Sequence, residues 1–166
     1  STTLTEALID PLSSTPAPTT ACTGTNPTPT GLATGDPTVY PQAVTIATGE
    51  NVVFDAGRYV FCQGLTIQTG ATVTGTGGVL LYVKGGTVDI SPGASVELGA
   101  ANTGDQRNII IWVATAQTVK IGTGDHVTRL GGTVYAPTSK VQLIGSANAT
   151  AINVGTLVAQ TVEIQS

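Results

Sequence analysis

The sequence predicts an all-β fold: a right-handed parallel β-helix of about five coils with a triangular cross-section, preceded by an extended Pro/Thr-rich arm. Three observations predict it. A pair of short phrases recurs five times across the last two thirds of the chain, at intervals of 21 to 31 residues. Gly-rich corners separate the phrases. No window of ten residues in this region carries apolar residues at helical spacing, and β-branched Thr and Val are abundant, so almost no helix is expected.

The first phrase ends aromatic-aliphatic: Gly57-Arg58-Tyr59-Val60, Leu80-Leu81-Tyr82-Val83, Ile110-Ile111-Trp112-Val113, Thr133-Val134-Tyr135-Ala136 and the weaker Gly155-Thr156-Leu157-Val158. The second is Leu65-Thr66-Ile67, Val88-Asp89-Ile90, Val119-Lys120-Ile121, Val141-Gln142-Leu143 and Val162-Glu163-Ile164. Its middle residues are polar between aliphatic neighbours, so each copy reads as an in-out-in strand. A third strand completes the coils at 71–74, 94–97, 126–129 and 150–153.

Composition divides the chain near residue 42, giving an arm over 1–42 and a β-helix domain over 43–166. Seven of the nine prolines lie at or before Pro41, and proline can neither donate to a ladder nor leave its polyproline-like φ. Within the coils, Val79–Val83 and Ile109–Val113 are apolar on both faces, and such a strand is covered on both. One face fills the interior; the other needs a cover. The arm, from the same or a neighbouring subunit, is the expected one, with Tyr59, Leu81, Tyr82, Ile111, Trp112 and Tyr135 as its docking residues. The aromatic column has two other readings, a sugar-stacking platform or inward-facing core.

Cys22 and Cys62 read either as buried thiols or as a disulfide tying the arm to the first coil; the pair is the expectation here. Charged residues make up 10% of the chain and the net charge is −4. The six basic residues, Arg58, Lys84, Arg107, Lys120, Arg129 and Lys140, are scattered, which argues against nucleic acid as a partner.

Catalytic and metal constellations are not expected. His126 is the single histidine and sits in a Gly-rich corner beside Asp125. No Gly-x-Ser-x-Gly elbow occurs. The outward column Thr66, Asp89, Lys120, Gln142, Glu163 mixes signs rather than clustering carboxylates, and suits cross-rung pairing. Thr-Gly-Asp recurs at 34–36, 103–105 and 123–125, but one Asp per corner does not make a calcium site. No cofactor is expected. Asn148-Ala149-Thr150 matches the N-glycosylation acceptor pattern.

The strings from Gly57 through Gly77, from Gly131 through Gly145 and from Leu157 through Ile164 resemble the β-solenoid domain of bacterial pilus-associated surface proteins, the TadG-like and PilX-like group. The resemblance covers about residues 50–166 and implies an extracellular, non-enzymatic module of surface structures or adhesion. A weaker likeness is to the bacterial ice-binding β-solenoids, which use a Thr-rich face. Here Thr72 and Thr74 would be followed on the next rungs by Ser95 and Glu97, then His126 and Thr128, so that ladder fails after one rung.

The chain starts at Ser1 without methionine and has no apolar run of 18 residues, so a processed or trimmed chain without signal peptide or membrane span is expected. It stops at Ser166 directly after a strand, an uncapped edge suited to stacking. The expectation is an extracellular or cell-surface structural protein whose partners are copies of itself, assembled by end stacking and the arm. Surface glycans as ligands of an adhesin, and ice, are the alternatives.

Overall fold

The computed structural model describes residues 9–27, 36–75, 77–124, 126–145 and 152–165. Among them there is no helix, and thirteen strands follow one another. They are β1 (Thr38–Tyr40), β2 (Val44–Ile46), β3 (Asn51–Val53), β4 (Gly57–Phe61), β5 (Leu65–Ile67), β6 (Thr72–Gly75), β7 (Val79–Val83), β8 (Val88–Ile90), β9 (Ser95–Gly99), β10 (Ile109–Val113), β11 (Thr118–Gly122), β12 (Thr128–Ile144) and β13 (Ile152–Gln165).

Every pairing is parallel, and each strand pairs with those one coil before and after it. Three sheets result, which is the predicted β-solenoid of about five turns. The first runs β1-β4-β7-β10 and continues through residues 133–136 of β12 and 156–159 of β13. The second runs β2-β5-β8-β11, then 140–144 of β12 and 161–165 of β13. The third runs β3-β6-β9, then 128–131 of β12 and 152–154 of β13. The long β12 and β13 each turn two corners, and the pairing between them shifts register at both.

Side-chain alternation explains the stacking. In the second sheet Val44, Leu65, Val88, Val119 and Val141 form one buried aliphatic column and Ile46, Ile67, Ile90 and Ile121 another. Thr45, Thr66, Asp89, Lys120, Gln142 and Glu163 point out between them, and Lys120 pairs with Asp89 at 3.7 Å. In the third sheet Val52, Val73, Val96 and Thr128 share an inward column; the buried Thr128 hydroxyl donates to the Gly122 carbonyl at 2.9 Å, so the polar atom has a partner where the column needs an apolar one.

The corners are tight. At Gly86, φ is +73°, and a Cβ built there would lie 2.1 Å from the Gln63 carbonyl oxygen, so only glycine fits.

Two sequence expectations are corrected. Strand β1 pairs with β4 at Thr38–Tyr40, so the first coil begins inside the stretch assigned to the arm. On the third sheet Glu97 is followed by Arg129, not Thr128, and the two form an ion pair at 3.0 Å. Thr128 instead faces the core.

The two ends of the solenoid differ. The inward residues of the first coil, Tyr40, Val44, Ile46 and Val52, are at most 5% exposed. In the last coil Val162 is 47% and Ile164 79% exposed, and among the described residues the outer edge of β13 pairs with no strand.

Candidate functional site

The first sheet is buried on both faces, and its outward side carries a second apolar cluster separate from the core. Register sets its membership. Val60, Tyr82, Trp112, Tyr135 and Val158 are paired one above another and point outward. Tyr59, Leu81, Ile111 and Val134 form the adjacent column and point into the core.

Tyr59 therefore leaves the column that its phrase suggests. The corner between β4 and β5 has three residues, Cys62–Gly64, whereas that between β7 and β8 has four, Lys84–Thr87. One extra residue shifts the pairing by one, and a one-residue shift exchanges the faces of a strand. Val60 accordingly pairs with Tyr82, and Tyr59 packs inside, edge-on against Phe54 at 4.6 Å between ring centroids.

The three aromatics that remain outward form a ladder. Tyr82 meets Trp112 edge-to-face at 5.8 Å, and Trp112 meets Tyr135 at 5.1 Å. None is more than 7% exposed. What covers them is the chain's own N-terminal segment, residues 9–27, here called the strap.

Leu12 packs against the cluster. Asp10 shapes the turn that presents it: Oδ1 receives the Leu12 amide at 2.9 Å and Oδ2 receives the Tyr135 hydroxyl at 2.6 Å. Gln106 Nε2 donates to the Pro16 carbonyl at 2.8 Å and Lys84 Nζ to the Thr20 carbonyl at 2.9 Å. A disulfide joins Cys22 to Cys62, with 6.0 Å between their Cα atoms. Asn26 receives the Gln42 amide at 2.8 Å and donates to the carbonyls of Gln42 and Ala43. The strap thus runs from the fifth coil back to the first, against the order of the coils.

Burial and the bond to Asp10 push the Tyr135 hydroxyl up to about 12, because removing its proton would place a second negative charge beside that carboxylate. Burial alone raises Tyr82.

Of the residues expected to dock the arm, Tyr82, Trp112 and Tyr135 are brought together under the strap, while Tyr59, Leu81 and Ile111 belong to the core. The arm packs on its own chain. Asp10, Leu12, Lys84 and Gln106 were not foreseen; they are polar or isolated residues whose partners lie far away in sequence, and no local period marks them. Asn148 lies outside the described residues.

An open groove of about 720 Å³ follows one corner of the solenoid, floored by Ala56, Gly57, Gly77, Gly78, Ala100 and Ala101. Asp36, Arg58, Asn102, Thr103, Asp105 and Gln106 line its sides, with Arg58 Nε on Asp36 Oδ1 at 2.9 Å. Among the described residues no three His, Cys, Asp or Glu side chains stand close enough to hold a metal ion, and no helix is long and apolar enough to cross a membrane.

No curated protein and no solved structure matches the chain. A family model described as a domain of unknown function (DUF7305) matches residues 32–166, which takes in all thirteen strands and leaves the described strap, residues 9–27, outside the match. The chain belongs to this DUF7305 family.

Proposed function

We propose that this domain is a non-enzymatic structural module of the cell exterior, a stiff rod that self-associates end to end into a surface filament or pilus-like assembly. The observation that carries this reading is the last coil. Among the described residues Val162 and Ile164, aliphatic residues at positions that are buried on earlier rungs, stand exposed, and the outer backbone edge of β13 beside them pairs with no strand. A further coil with the same in-out-in pattern fits that edge, and each copy of the chain consists of such coils.

The Cys22–Cys62 bond supports an exterior location, since structural disulfides persist in oxidising compartments. The mixed, low charge supports a structural role over a catalytic one.

Negative-stain electron microscopy and light scattering of the full chain beside Ile164→Asp test the reading. Linear assemblies that shorten or vanish in Ile164→Asp are expected. Single particles of the unsubstituted chain at every concentration would reject it.

The groove favours one second reading, an adhesin binding a surface glycan through Asn102, Asp105 and Gln106 rather than through the covered aromatics. Glycan binding lost in Asp105→Ala but retained in Trp112→Phe is its expected mark.

A further inference from the structure

The strap contacts ahead of Cys22 have one chemistry in common. Each of the three hydrogen bonds from the coils to residues 9–21 is donated by a solenoid side chain and accepted by a strap oxygen: Tyr135 to Asp10, Gln106 to Pro16 and Lys84 to Thr20. No backbone amide of residues 9–21 is needed for them. That suits a proline-rich segment, which presents carbonyls but lacks amide donors at proline. The aromatic ladder beneath it is likewise a surface on which an extended proline-rich chain packs well.

The strap is also a separable part. It forms no strand with the coils, and it covers an apolar cluster distinct from the interior core. Lifting it uncovers Tyr82, Trp112 and Tyr135 without opening a coil. Its far end, Asp10 and Leu12, lies at Tyr135 on the fifth coil, the end of the rod where Ile164 is exposed. A copy docked at that end has the ladder within reach.

From these observations we infer that the ladder face is a docking site for the strap of a second copy, which takes the resident strap's place, so that Cys22 of one chain bonds to Cys62 of the next. The inference rests on the assembly reading above and names its contact. The exchange balances if one chain with its pair reduced by a small thiol starts it: its Cys62 thiolate attacks Cys22 of the next chain and releases that chain's Cys62 thiolate, so each linkage formed between chains breaks one within a chain and the two thiols stay at the ends of the series.

The test uses two full-length variants, Cys62→Ser, which keeps the strap thiol, and Cys22→Ser, which keeps the coil thiol. They are mixed in equal amounts in a buffer of reduced and oxidised glutathione and separated without reductant. A disulfide-linked heterodimer carrying the Cys22–Cys62 peptide pair is expected, in roughly fivefold or greater excess over the two homodimers, because docking raises the local concentration of the matching thiols. Adding Leu12→Ser to the chain that donates the strap should lower that yield. The same substitution in the chain that accepts it should raise the yield, by loosening the resident strap. Random thiol collision gives neither sign. A yield indifferent to which chain carries Leu12→Ser, or no heterodimer, overturns the inference.

A second measurement needs no substitution. Isotopically light and heavy native chains are reduced, unfolded and refolded together, and the Cys22–Cys62 peptides are weighed. Mixed-isotope pairs that increase with concentration are expected; none at any concentration overturns strap exchange. Filaments without mixed pairs would leave the assembly reading standing and remove this one, and mixed pairs without filaments would do the reverse.

Discussion

The Tyr135 hydroxyl donates a 2.6 Å hydrogen bond to Asp10, a residue 125 positions earlier, and the same carboxylate receives the amide of Leu12. One side chain thereby turns the backbone that presents Leu12 and pins that turn to the last rung of the aromatic ladder. Removing the hydroxyl in Tyr135→Phe should cost about 1–2 kcal/mol, the lower part of the range for a hydrogen bond to a charged group, since Asp10 is half-exposed. Trp112 is the only tryptophan in the chain, so acrylamide quenching of its fluorescence reads the loosened strap directly.

The same bond predicts a pH dependence. The bond needs the protonated phenol, and the folded state holds that proton from the ordinary 10 up to about 12. Folding therefore binds the proton more tightly than the unfolded chain does. The stabilisation is whole below pH 10 and is lost as pH rises from there towards 12. Quenching of Trp112 should increase over that window, and Tyr135→Phe should weaken the dependence, leaving the part that burial of Tyr82 supplies.

Breaking the disulfide should matter more than breaking any one hydrogen bond. Its two cysteines are 40 residues apart, and cross-linking a loop of that size stabilises by about 4 kcal/mol on the chain-entropy account. Cys22→Ser should lower the denaturation midpoint accordingly, with the strap more readily cleaved by protease than the coils.

Two glycines with similar backbone angles should separate sharply. Gly86→Ala places a methyl 2.1 Å from the Gln63 carbonyl oxygen in a stacked corner, whereas Gly104→Ala, at φ +86°, meets nothing within 4 Å. The first should destabilise by more than ~4 kcal/mol or prevent folding; the second should cost about 1 kcal/mol from its left-handed backbone alone. Circular dichroism melts of the two variants check this.

At the open end, Glu163 accepts hydrogen bonds from Gln142 and from Lys140, which bring its carboxyl down to about 2. The carboxylate is the form these partners favour, so their contribution is present above the usual value near 4.5 and is lost as pH falls towards 2. An NMR titration should place Glu163 well below the usual carboxylate value, and both Gln142→Ala and Lys140→Ala should raise it.

The coils were legible in the sequence because their signal is local. Val88-Asp89-Ile90 declares its two faces within three residues, and each later copy repeats the statement. The two-sided apolar runs of β7 and β10 similarly implied a cover. The column register was not legible. Tyr59 and Tyr82 look equivalent in their phrases, and only the length of the corners after them decides that one faces in and the other out. Nor was the strap's path, because Asp10 and Tyr135 carry no mark of each other until the coils have stacked.

The direction of the strap determines how the rod would carry load. A pull applied upstream of Asp10 meets the fifth coil first and peels the strap one contact at a time, from Tyr135 through Gln106 to Lys84. Peeling loads those bonds singly rather than together, so it proceeds at low force and frees residues 9–22, a segment with an extended length of roughly 45 Å. It stops at Cys62, where the covalent link passes the tension to the second coil. The strap is in this sense a shock absorber that yields before the ladder of the rod is strained.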